Sequence, residues 1–284
     1  MRRRLTHWFQ EVDELLRGEK TRPQMLADRG LEVGAGRLMV AIVAMGMIYG
    51  LCMGSYSLLK EIPPHLANSS DRYMQVLASV VKTPALFFLT LLVTMPSLYV
   101  FNALVGSRLG LANLFKLLIA SLVINTTVLA SLGPIVAFFS LTTSSHSFIV
   151  LLNVAVFSVA GVLGLLFLLQ TLHRLTNLEQ GRAHEDRVVR LEPSAGDERT
   201  TDETNVMENL SALDMPTGDV LARHTRTVFR CWVVLFALVG AQMSWVLRPF
   251  IGTPSLPFEW FRERQSNFFT AVLNTLRELL FGGG

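Results

Sequence analysis

Apolar and polar positions fall in long blocks along this chain. Residues 117–170 form 54 consecutive positions without one Asp, Glu, Lys or Arg. Water-exposed surface takes a charge every few residues, whereas a charge at the centre of a lipid layer costs about 2.5–3.5 kcal/mol on insertion scales. The block is long enough for two helices of about 20 residues, the length that crosses a hydrocarbon core of about 30 Å. With charge-poor runs elsewhere it predicts five transmembrane helices, near 38–59, 83–106, 117–140, 148–172 and 227–247.

Shorter periodic stretches flank these runs. Leu5, Trp8, Phe9, Val12, Leu15 and Leu16 recur at helical spacing behind Arg2, Arg3 and Arg4, a pattern suited to a helix lying on anionic lipid. Near the other end, Phe258, Phe261, Phe268, Phe269, Val272, Leu273, Leu276 and Leu280 alternate with Glu259, Arg262, Glu263, Arg264 and Glu278. This predicts a second amphipathic helix on the outer surface, with Trp260 at the headgroup boundary. Between the first two spans, Tyr73, Val76, Leu77, Val80 and Val81 predict a short helix resting at the interface. The expected fold is therefore all-α: an integral membrane bundle of five transmembrane helices with amphipathic interfacial helices at both ends. Its parts are an N-terminal segment 1–37, spans one to four in 38–173, an insert 174–226, a fifth span 227–247 and a C-terminal segment 248–284.

Residues 174–225 hold 11 acidic and 6 basic residues, the composition of a flexible linker. Within the insert, Arg182–Arg190 could continue the fourth span, and Asn205–Leu213 could form a short helix. The chain is 51% hydrophobic, and its net charge of +3 is small. The placement of the charge matters more. With the N-terminus inside, the inner segments carry 8, 2 and 8 basic residues and the outer ones seven. The positive-inside rule then puts the N-terminus in the cytoplasm and the C-terminus outside, and this simple asymmetry without an import or retention signal fits a bacterial inner membrane. Glu11, Asp13 and Glu14 break any signal-peptide core after the opening arginines, so the first apolar run is expected to stay as an anchor.

Gly46, Gly50 and Gly54 lie four residues apart, which stacks them into one groove on the first span. A neighbouring helix can approach closely there, and association in lipid depends on such packing. Ala160 and Gly164 repeat the spacing in the fourth span, so the simplest use is contact between spans one and four. The ridge could also serve contact between chains. Asn102, Asn125, Asn153 and Gln242 place one amide in each of spans two to five. An unpaired amide in hydrocarbon costs several kcal/mol, so these should face the interior, as structural glue or as the lining of a polar path. Pro96 and Pro134 should kink their helices.

No Asp or Glu falls in a predicted span, which weakens an ion-driven pump. No phosphate-binding glycine loop, zinc-protease pair or nucleophile elbow occurs. Cys52 and Cys231 sit in apolar runs and read as small buried hydrophobes. No catalytic residue, metal site or cofactor is predicted, and the basic residues lack the aromatic interleaving of a nucleic-acid surface.

Pro96-Ser97-Leu98-Tyr99-Val100-Phe101-Asn102 and Arg248-Pro249-Phe250-Ile251-Gly252, with the span count and topology, resemble Yip1-type membrane proteins. The 174–226 insert departs from that family's compact pattern. The resemblance implies a non-enzymatic partner in membrane organisation and carries over no functional residue. The expected role is a scaffold or accessory subunit whose partners are the lipid bilayer and another membrane protein or a second copy. The alternative is a channel or permease component with a path past the four amides.

Overall fold

The computed structural model describes residues 10, 12–17, 34–59, 69–104, 111–191, 218–252, 258–263 and 266–281. Every regular element among them is helical: α1 (12–16), α2 (Ala35–Leu59), α3 (Ser69–Leu104), α4 (Leu111–Thr142), α5 (His146–Leu191), α6 (Gly218–Val246) and α7 (Phe268–Phe281). Several ends have local causes. The Ser145 hydroxyl accepts the Phe148 amide at 3.2 Å and caps α5. Asn267 does the same for α7, accepting the Thr270 amide at 2.9 Å. At the far end of α6, Pro249 disfavours helical geometry at Arg248, and the helix stops at Val246.

Four helices are long and apolar enough to cross a membrane, through Ala35–Leu58, Asp71–Ser97, Leu114–Thr142 and His146–Thr171. The chain is thus built as a multi-pass, membrane-embedded protein. The expected fifth span is a shorter apolar stretch, Arg230–Val246, inside α6.

Three further expectations come out differently. The short interfacial helix and the second span are one continuous helix, α3, whose apolar segment begins at Asp71. Arg72 and Lys82 fall in the expected loop, but α3 runs through both and the bundle buries Lys82 inside the helix. At the N-terminal end, Val12 and Leu15 are buried in the same core as Leu38 and Leu117, so this face of α1 packs on protein. The arginines and aromatics before it lie outside the described residues. In the insert, the expected continuation through Arg182–Arg190 is present as part of α5, which runs unbroken to Leu191, while α6 begins as early as Gly218, where linker was expected. The part from 192 to 217, with the expected Asn205–Leu213 helix, lies outside the described residues.

α2 packs between α3 and α4; α5 covers α4, α6 covers α3, and α7 packs on α5 and α6. A turn-by-turn register ties α2 to α3. A Cβ added at Gly46 would meet Pro84 at 3.3 Å, at Gly50 the Val80 Cα at 2.8 Å, and at Gly54 the Val76 Cα at 3.1 Å. Each four-residue step up α2 matches a four-residue step back along α3, so the two helices are antiparallel. Gly46 and Pro84 are also the midpoints of their apolar segments. Gly133 against Cys52 and Tyr49, and Gly164 against Ser121 and Asn125, bring the midpoints of the other two segments, near Val128 and Ser158, to the same level. Four independently defined segments thus share one central plane. Their outer faces carry exposed Val40, Leu51, Leu92, Phe138 and Val162, as lipid contact requires.

Candidate functional site: polar groups inside the bundle

Interior polar groups are the place to look for chemistry in a lipid-facing bundle, because each one must be satisfied by the protein. The predicted amides do not converge. Asn153, on α5, accepts the Tyr49 hydroxyl of α2 at 2.8 Å and donates to the Ile149 carbonyl at 2.9 Å. Tyr49 is fully buried, with its ring edge-on to Phe157 at 5.2 Å. Asn125, on α4, lies against Gly164, where the Ser121 hydroxyl also donates to the Gly164 carbonyl at 2.7 Å. Asn153 and Gly164 are eleven residues apart on α5, about 16 Å along the helix. The Asn125 Oδ1 is buried without a hydrogen-bond partner among the described residues. Gln242 is half-buried on α6, in a third part of the bundle. Asn102 lies on α3, and its side chain is outside the described residues.

The small residues also divide between interfaces. Gly46, Gly50 and Gly54 face α3, while Gly164 faces α4. Ala160 is buried in the core. Among the described residues, α2 and α5 meet through the long Tyr49 and Tyr56 side chains and not through the two small-residue stripes.

A polar cluster that sequence reasoning missed lies on one face of α3. Gln75, Ser79 and Lys82 are all buried, with Lys82 only 3% exposed. They hold the non-helical chain that follows α6. Gln75 Nε2 donates to the Phe250 carbonyl at 3.1 Å, and the Ser79 hydroxyl donates to the same oxygen. Lys82 Nζ donates to the Pro249 carbonyl at 3.1 Å and also to the Trp260 carbonyl. The ammonium stands 5.1 Å from the Phe261 ring centroid, within cation–π range. The legible signal was the spacing of 75, 79 and 82, which puts all three on one helical face. Starting the second span at Thr83 hid it.

Near the first turn of α5, the Tyr56 and His146 rings meet at a tilt, centroids 5.9 Å apart, and Ser147 donates to Glu278 of α7 at 3.0 Å. No group of three or more His, Cys, Asp or Glu among the described residues could hold a metal ion. No protein-family model, curated protein or solved structure matches the chain.

Proposed function

We propose that this chain is a non-catalytic integral membrane scaffold or accessory subunit with five crossings, its N-terminal end cytoplasmic and its C-terminal end outside, in a bacterial inner membrane. The observation that carries this reading is the use of interior polar groups as fasteners. Tyr49 with Asn153, and Ser121 with Gly164, each join one helix to another, at about 0.6–2 kcal/mol per contact in lipid. Opposite placement of the two ends is supported by the Ser147–Glu278 contact. It sets α7 beside the start of α5, the end of the bundle remote from the start of α2. The basic-residue bias supports the direction, and the Yip1-type resemblance points to the same class of role.

One observation favours the second reading, a channel or permease component. A lysine at the central plane, bonded to carbonyls of unwound chain, resembles the discontinuous helices that bind ions and substrates in transporters. Purified chain in liposomes separates the two. The scaffold reading expects flux of monovalent ions and small organic solutes no faster than in protein-free vesicles. Flux above that level, lost in Lys82→Met, would instead establish transport.

A further inference from the structure

The chain between α6 and α7 carries more hydrogen-bonded backbone than a surface turn needs, and its depth explains why. α6 runs antiparallel to α3. The Trp232 indole donates to the Ser97 hydroxyl at 3.1 Å, and a Cβ on Gly240 would meet the Thr90 methyl at 3.6 Å. Six residues on from Gly240, α6 ends at Val246; six residues back from Thr90 is Pro84. Pro84 packs on Gly46, at the shared midpoint of the apolar segments. Helix α6 therefore stops at the central plane.

α7 begins there. The Trp245 indole, in the last turn of α6, donates to the Ser266 carbonyl. The other end of α7 is fixed by Glu278, which accepts from Ser147. Ser147 lies eleven residues before Ser158 on α5, about 17 Å from the central plane. From Phe268 to Glu278 is ten residues, about 15 Å of helix, with Ser266 and Asn267 leading into it. The two spans match, so α7 stands along the bundle instead of lying flat across its end.

We infer that the fifth crossing is made in two halves, α6 to mid-depth and α7 onward to the far end, with a non-helical strap between them that Lys82 pins inside the bundle. The strap's described residues are 248–252 and 258–263. Its carbonyls lack helical partners, and hydrocarbon tolerates such backbone only where protein satisfies it. Gln75, Ser79 and Lys82 do this from one face of α3, at Pro249, Phe250 and Trp260. Gly252 makes the fit close, since a Cβ there would meet Ser57 Oγ at 2.7 Å and Gln75 Cγ at 2.9 Å. From α3, Lys82 reaches both described limbs of the strap, and within the strap Arg248 also joins them, its carbonyl accepting the Arg262 amide at 3.4 Å and its guanidinium donating to the Glu263 carbonyl. The positive ammonium also suits the negative C-terminal end of α6. Lys82 is thus a positioning residue, and its grip decides whether the strap stays seated. The inference requires membrane embedding but does not depend on the scaffold reading.

The test uses full-length protein in lipid nanodiscs, with Cys52 and Cys231 replaced by Ser. Spin labels at Phe269, Leu273 and Leu280, all exposed on α7, report depth from the lipid surface. An upright α7 gives three graded depths spanning about 16 Å over eleven residues. Three equal depths would overturn the two-half crossing, with no change at Lys82 needed. A single cysteine at Phe250 then reports the strap through a membrane-impermeant thiol reagent. With Lys82 present it should react slowly, and Lys82→Met should speed labelling about tenfold, with Lys82→Arg restoring much of the protection. Equal labelling in Lys82 and Lys82→Met proteins that keep the α7 depth gradient would overturn the pin. If Lys82→Met fails to insert, the shorter, uncharged but polar Lys82→Gln supplies the same test. Labelling no faster than with Lys82 would equally overturn the pin.

Discussion

Gly50 has the least room of the three glycines on α2. A Cβ there would lie 2.6 Å from the Ser79 carbonyl oxygen and 2.8 Å from the Val80 Cα, both backbone atoms. Neither can swing aside as a side chain can, so the helices must separate. Gly161, on α5, has nothing within 4 Å of the same added atom. Both are helical glycines, and alanine is favoured at such positions by propensity. Gly50→Ala is therefore expected to lower stability by about 1–3 kcal/mol, the usual range for overpacking. Gly161→Ala should be neutral or slightly stabilising. Unfolding in detergent titrations measures both, and similar effects at the two positions would contradict the close approach of α2 and α3.

Pairing between elements was only partly legible in the sequence. The charge-free block at 117–170 announces two helices and the turn between them, because lipid tolerates few charges in any arrangement. The glycine spacing announces a close neighbour for α2. It does not say which neighbour, since Ala160 and Gly164 offer an equally small surface on α5. Tertiary packing chose α3, whose Val76, Val80 and Pro84 fill the groove. Lys82 is hidden for a related reason: along a sequence a charge marks a boundary, and only the three-dimensional arrangement supplies the carbonyls that let it lie inside. The chosen pairing can be read by cross-linking. Cysteines at Gly54 and Val76, in a background without Cys52 and Cys231, are close enough to join within one chain. The expected product is a faster-migrating monomer that reverts on reduction. A disulfide-linked dimer as the main product would move the glycine groove to an interface between chains.

For the whole molecule, the side on which each end emerges is the property that follows most directly from the number of crossings. Four apolar helices alone would return the chain to its starting side, and a further crossing through α6 and α7 would not. Tags at the two ends, probed by protease on intact and permeabilised cells, should show the C-terminal tag accessible from outside and the N-terminal tag only after permeabilisation. Both tags on one side would remove the fifth crossing from the proposal.

Helix α5 has 46 residues, and its apolar part ends at Thr171. The remaining twenty continue without a break to Leu191, about 30 Å at 1.5 Å per residue. That makes a stiff boom rooted between the Ser121 and Tyr49 fasteners. A pull or twist applied at its tip reaches those roots as torque, because no hinge intervenes to absorb it. A load placed at Leu191 would therefore turn the protein within its membrane as well as tether it.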